Sequence, residues 1–221
     1  MPSSRSALPS YAIARQARRA VYDETTIHHI LDHGLVAHVG FVAADRPMVM
    51  PMAYGRDGST LYLHGASKTR LIRDNRGGTA LCLTVTLLDG IVVARSAFHH
   101  SMNYRSAVVH GDARAVDGRD EHEHALRVIV EHLLPGRWPE VRPMLDKERK
   151  ATGVLALPIT AASAKVRTGG PVDEEQDYEQ PVWAGVLPLA TQPSTPIADD
   201  RLPAGVTVPA SLYAAQKKLG C

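Results

Sequence analysis

Short runs of alternating apolar and polar residues, separated by turn-forming residues, fill most of this chain. Residues 35–43 are β-rich, Asp45-Arg46-Pro47 reads as a turn, and residues 48–54 return as a second strand. Arg56-Asp57-Gly58-Ser59 carries an Asp-Gly hairpin signal, and residues 60–64 form a third strand. A helix-like stretch at 69–74 stops at Asn75-Arg76-Gly77-Gly78. Residues 79–88 predict a mostly apolar fourth strand that turns at Asp89-Gly90 into residues 91–95. A long strand spans 104–116, and two last strands lie at 153–159 and 162–167. Helices are few. Asp23 or Thr25 would cap one through about Asp32, with Gly34 ending it. Residues 121–134 carry Ala125, Leu126, Ile129, Val130 and Leu133 at helical spacing, and 138–151 reads as helix and loop. Six or seven strands with tight turns and few intervening helices predict an antiparallel sheet closed into a barrel, a mainly β (α+β) fold rather than alternating βα units.

The ends differ in texture. Residues 1–20 are polar and read as an arm, residues 21–170 as the folded domain, and 171–221 as a proline-rich extension that docks or wanders. With 221 residues, 44% apolar and 22% charged, the chain has a globular composition. A formal net charge of +2 gives no reason to expect nucleic acid, and no apolar run is long enough to cross a bilayer. Arg5, Arg15, Arg18 and Arg19 precede no apolar segment, so a secretory signal is not expected. Cys82 and Cys221 do not make a disulfide framework, and a cytoplasmic protein is the simplest expectation.

The richest chemistry lies at Leu61-Tyr-Leu-His64-Gly-Ala-Ser67-Lys68. A strand passes through Gly65 into a small-residue turn and a helix start. That arrangement gathers backbone N–H groups, the Ser67 hydroxyl, Lys68 and Arg70, which suits a phosphate. His64 stands at the strand end beside it. The glycine spacing matches neither a Walker loop nor a dinucleotide fingerprint, and the same residues also fit an ordinary turn with solvated Lys68, Arg70 and Arg73. A second constellation, Ser101 to Ser106, offers Arg105 and Ser106 to anionic oxygen and Tyr104 for stacking, or else is a plain strand entry. Trp183 offers a flat apolar surface or a core anchor. Of eleven histidines, His29 and His33 have ligand spacing, while His122/His124 and His99-His100 do not; no metal site is expected, and most should be solvated. Cys82 reads as an inert core thiol.

Pro51-Met-Ala-Tyr54, Leu61 to Lys68, Asn103-Tyr-Arg-Ser106 with Gly111, and Pro181-Val-Trp183-Ala-Gly together resemble the FMN-binding split-barrel superfamily. The nearest branch is the pyridoxamine-phosphate-oxidase-like proteins that include nitroimidazole-resistance reductases. The resemblance implies a six- or seven-stranded antiparallel split β-barrel with a few flanking helices. It also implies a homodimer with flavin sites shared between subunits. FMN would be the cofactor, with deazaflavin or haem as alternatives. Ser67 and Lys68 would hold the phosphate, and Met50, Pro51, Met52, Ala53 and Tyr54 would line the ring. His64 would sit beside the ring as proton donor or as an orienting hydrogen bond. Tyr104, Arg105 and Ser106 match cofactor-contact positions, and Trp183 resembles a tryptophan that closes over the site. The tail lacks the arginine and histidine set that binds pyridoxamine phosphate in true oxidases, so that compound is not the expected substrate. The implied activity is oxidoreduction of a small planar molecule such as a nitroaromatic or quinone, with a non-catalytic flavin- or haem-binding or sensing protein as the alternative. Neither nucleic acid nor membrane is an expected partner.

Overall fold

Two hairpins at the start of the barrel follow directly from local sequence. In the computed structural model, which describes residues 8–74 and 78–220, the strands Val36–Ala43 (β2) and Arg46–Asp57 (β3) pair antiparallel from Val36↔Ala53 to Ala43↔Arg46. Their turn is only Ala44 and Asp45, both with positive φ (49° and 56°), the hand that matches strand twist. Arg46 and Pro47, expected in the turn, already belong to β3. The second hairpin joins β3 to Thr60–Ala66 (β4) across Gly58 and Ser59. The remaining strands are Ala20–Val21 (β1), Thr79–Val93 (β5), Ser101–Ala115 (β6), Thr152–Pro158 (β7), Ala161–Arg167 (β8) and Gly185–Pro188 (β9). The sheet order is β1-β8-β6-β7-β4-β3-β2-β5-β9, and a further β5–β6 pairing closes a six-stranded ring. This is the antiparallel split β-barrel expected from sequence, with the short strands β1 and β9 added. Among the described residues, five α-helices accompany it: Glu24–His33 (α1), Arg70–Asp74 (α2), Arg119–Leu133 (α3), Asp146–Ala151 (α4) and Ala210–Leu219 (α5). The first seven residues, the expected helix stop at Asn75, Arg76 and Gly77, and Cys221 lie outside the described residues. No helix among the described residues is long and apolar enough to cross a membrane.

The chain divides into two units, with β5 and β6 each contributing residues to both: residues 1–34, 84–109 and 161–190, and residues 35–83, 110–160 and 191–221. In the first unit, Asp23 caps α1 by accepting the Thr26 N–H at 2.8 Å, and Ile27, Ile30 and Leu31 form its buried face. Leu8 and Ala12 pack on Ala161, so the described part of the arm lies against β8. Asp89-Gly90 does not turn. β5 runs straight through it because Gly90 pairs with Pro188 of β9, where a Cβ would come within 3.0 Å of the Leu187 carbonyl oxygen. That glycine serves close approach, not chain reversal.

In the second unit, α3 lays Ala125 and Ile129 on Tyr62, Val116, Val154 and Ala156. It crosses β3 at Gly55, where a Cβ would meet the Val128 carbonyl oxygen at 2.7 Å. The tail supplies α5 here: the Ser211 hydroxyl donates to Glu140, Lys218 Nζ donates to the His132 carbonyl, and Ala215 is buried. Most histidines were expected in solvent, but His122 and His132 are buried. His122 Nε2 lies 2.9 Å from the Thr152 carbonyl oxygen, and the His132 ring packs 4.7 Å from that of Tyr54.

Candidate functional site

In the second unit, the pairing of β3 with β4 ends short of the polar turn. The β3–β4 ladder runs from Asp57↔Thr60 to Tyr54↔Leu63. From His64 onward, β4 follows β7 through His64↔Val154, Gly65↔Gly153 and Ala66↔Thr152. Residues 50–53 meanwhile stay paired with β2. A wedge therefore begins between Ala53 and His64, and the polar turn starts at Ser67, three residues beyond His64.

That turn is rigidly held, at the expense of the donors the sequence suggested. The Ser67 N–H donates to the Ala151 carbonyl at 2.8 Å, and the Thr69 N–H and hydroxyl both donate to the Ala66 carbonyl at 2.8 Å. Neither amide is free for a phosphate. The anion-binding capacity rests instead on the Ser67 hydroxyl and on the exposed Lys68 and Arg70. α2 has five residues, too short to add a substantial dipole. Gly153 sets the turn's position: a Cβ there would strike Ile72 Cγ2 at 2.1 Å and approach the Ser67 Cα at 3.4 Å. A Cβ on Gly65 would lie 4.0 Å from Met52 Cε, so the Met52 side chain of β3 reaches toward the turn.

His64 is half-buried, and its Nδ1 is shut off from water with no hydrogen-bond partner. Burial holds its pKa below the ordinary imidazole value. The strand beside it divides by face. Val36, His38, Val42, Pro47, Val49 and Pro51 are exposed and share one face of the β2–β3 hairpin by register, with Ala53. Met50 and Met52 pair with the buried Val39 and Ala37 on the other face, and Tyr54 is fully buried. Tyr54 can therefore offer a ligand only its backbone.

The other predicted site residues belong to the first unit. Tyr104, Arg105 and Ser106 are consecutive on β6 and each partly buried. The Arg105 guanidinium forks onto Asp89, with Nε donating at 3.0 Å and Nη2 at 2.7 Å, and this carboxylate raises the Arg105 pKa. Trp183 is 68% exposed, so it is not a core anchor; its ring lies over Gly185 at the start of β9. The unit also holds a cavity of about 710 Å³ whose lining includes Arg18, Arg19 and Arg167. Sequence reading missed it, because Arg18 and Arg19 lie far along the chain from Arg167 and the β1–β8 pairing brings the two segments together. Among the described residues, no three His, Cys, Asp or Glu side chains gather to hold a metal. The His29–His33 pair is tied internally, with His33 Nδ1 at 2.8 Å from the His29 carbonyl oxygen.

An antiparallel barrel whose strands part beside a cationic turn is a split barrel. The chain belongs to the pyridoxamine 5'-phosphate oxidase family, whose profile matches residues 23–166. Two solved structures are similar over more of the chain. A flavocytochrome from Azotobacter vinelandii is 39% identical, with a TM-score of 0.88, covering 93% of this chain and 96% of that one. An FAD and heme binding protein from Mycobacterium smegmatis is 33% identical, with a TM-score of 0.85, covering 90% and 97%. A Bacteroides thetaiotaomicron protein assigned to 5-nitroimidazole antibiotic resistance shares the fold at 24% identity and a TM-score of 0.58, covering 66% and 86%. A comparison with curated protein sequences finds no match.

Proposed function

We propose that this protein binds a flavin in the wedge between β3 and β4 and uses it to pass electrons to or from a small planar molecule. The observation that carries this reading is the parting of the ladder at Ala53 and His64, immediately before Ser67 and Lys68. The Ser67 hydroxyl and the Lys68 ammonium would hold the flavin phosphate. Backbone groups of Met50, Pro51, Met52, Ala53 and Tyr54 would face the ring. Bound flavin supplies hydride or single-electron transfer, and the protein supplies position and electrostatics. His64, kept neutral by burial, would hold a proton at the ring edge or orient the ring through its unpartnered Nδ1. Tyr104, Arg105, Ser106 and Trp183 would complete cofactor contacts. The exposed apolar face of the β2–β3 hairpin suits a second copy of the chain, giving a homodimer with shared sites. The two similar solved structures named above are a flavocytochrome and an FAD and heme binding protein, which favours a redox cofactor; FMN is one candidate form.

A second reading has its own support. The imidazole of His64, half-buried and with its Nδ1 unpartnered, is a residue type that ligates haem iron, which would need its other ring nitrogen to face the group. Absorption spectra of protein purified without added cofactor test both: flavin bands support the first reading and a Soret band the second. Flavin bands that bleach anaerobically with a nicotinamide nucleotide and return with a nitroaromatic or quinone support the oxidoreductase. A colourless protein that takes up neither cofactor refutes both readings.

A further inference from the structure

A smaller cavity, of about 230 Å³, lies within the second unit along α3. Asp120, Glu123, His124 and Arg127 line it from one helix face, at positions i, i+3, i+4 and i+7. Its remaining wall is Trp138, carried on the chain that returns after α3. Glu131 pins that return: its carboxylate accepts the Gly136 N–H at 2.5 Å and the Trp138 N–H at 2.8 Å. Gly136, with a φ of 83°, permits the reversal.

The charges around this cavity are not arranged as local sequence would have them. Glu123 and Arg127 stand four residues apart, acid first, the spacing that ordinarily closes into a helix ion pair. They do not pair here. Arg127 Nη2 donates instead to His124 Nδ1 at 3.2 Å, while His124 Nε2 lies 2.8 Å from Asp57 Oδ2 at the end of β3. A guanidinium can only donate and a carboxylate only accept, so these contacts fix the tautomer: Nε2 carries the proton and Nδ1 receives Arg127. The Tyr62 ring meets the imidazole edge-on at 5.9 Å. Among the described residues, the side chains of Asp120 and Glu123 have no ion-pair or hydrogen-bond partner, and Arg127 has no carboxylate partner.

The cavity therefore offers two open carboxylates, one guanidinium with N–H groups to spare, and an indole. A complementary occupant carries two cationic groups, one carboxylate and a short aliphatic stem. Its carboxylate would fork onto the guanidinium, its cations would meet the two acids, and its stem would lie on the indole face. The volume falls below the roughly 300 Å³ at which drug-sized sites begin, so the occupant is smaller than a nucleotide or a flavin. We propose that this cavity binds a free basic α-amino acid: Asp120 and Glu123 take its two cationic groups, Arg127 its carboxylate and Trp138 its side-chain stem. Asp57 and His124 are positioning residues, which keep Arg127 out of the pair with Glu123. This site stands apart from the flavin reading and does not depend on it.

The test titrates the full chain calorimetrically with L-lysine and L-arginine, with cadaverine and agmatine, which lack the carboxylate, and with L-norleucine, which lacks the side-chain cation. The proteins are wild type, Arg127→Gln, Asp120→Asn/Glu123→Gln and Asp57→Asn. All four positions are exposed, so the fold should survive, as circular dichroism will report. Wild type should bind L-lysine or L-arginine with a Kd of about 1 mM or tighter. It should prefer that amino acid to its decarboxylated amine and to L-norleucine by about tenfold or more, a factor that one charge-assisted contact supplies. Arg127→Gln should erase the preference over the amine and keep the preference over L-norleucine, and Asp120→Asn/Glu123→Gln should do the reverse. Asp57→Asn should weaken only the preference over the amine, a selectivity that general loosening of the helix would not produce. Should a variant prove unfolded, the ligand series on wild type still decides. Absence of binding by both basic amino acids at about 10 mM, equal affinity for amino acid and amine, or preferences that survive every substitution would overturn the proposal.

Discussion

Replacing Gly153 by alanine tests whether β7 fixes the position of the Ser67–Lys68 turn. The new Cβ would lie 2.1 Å from Ile72 Cγ2, 3.3 Å from Ile72 Cβ and 3.4 Å from the Ser67 Cα. Carbon atoms do not approach to 2.1 Å, so Ile72 must leave its rotamer or α2 must lift away from β7. Ile72 is only 6% exposed, so neither movement is free. Overpacking of this kind costs about 1–3 kcal/mol. At ~2–4 °C per kcal/mol for a chain of this size, the melting temperature should fall by roughly 2–12 °C. Flavin retention should fall with it, because the turn moves as a body with α2. Ile72→Ala alone should cost about 2–5 kcal/mol. Made in the Gly153→Ala background it should cost less by about 1 kcal/mol or more, because the two changes share the contact. Urea unfolding of the four proteins gives the coupling. Additive losses, or a Gly153→Ala melting point within about 1 °C of wild type, would refute the reasoning.

Lys68→Ala should leave stability nearly unchanged, since the side chain is exposed, yet weaken flavin retention by about 10- to 100-fold if the ammonium holds a phosphate; undiminished flavin content after gel filtration would remove it from the site. Burial lowers the pKa values of His64 and His110, so near pH 6.5 the unfolded chain takes up protons that the folded chain refuses. Their stability contribution is full above about pH 6.5 and is lost as pH falls toward the folded values. Denaturation at about pH 8 and about pH 5.5 should show this loss, and His64→Gln/His110→Gln should reduce it; equal slopes would contradict the assignment. Asp173 accepts from the Arg95 N–H and Nη1, each at 3.0 Å, and Arg95 also lies 4.8 Å from the Tyr178 ring centroid. Asp173→Ala should therefore speed cleavage at Glu174, Glu175 or Glu179 by a glutamate-specific protease, and an unchanged rate would argue against this anchor.

The parts of the fold legible in the sequence are those decided by neighbours along the chain. Asp23 and Gly34 bracket α1 because a cap and its stop act within one helical turn. The spacing of Ala125 and Ile129 announces α3, because one face must be apolar to cover the sheet. Asp89-Gly90 misleads for the opposite reason: its role is set by β9, nearly a hundred residues away. α5 forms in a proline-rich tail through tertiary contacts to Glu140 and His132 that no local pattern encodes. The same division runs through the site. The residues of the Ser67–Lys68 turn were legible, whereas the loss of its amides to Ala66 and Ala151 and the parting of β3 from β4 arise from long-range pairing. Met50, Pro51, Met52 and Ala53 looked alike in sequence until register assigned them alternate faces.

β9 gives the proline-rich tail a protective task. It occupies one margin of the sheet, against Gly90 to Val93 of β5. A chain cut short before Gly185 would leave a stretch containing Ile91, Val92 and Val93 with open backbone donors and acceptors, a template for adventitious strand addition. Self-association on truncation would thus come from an uncovered border, with the interior packing still intact.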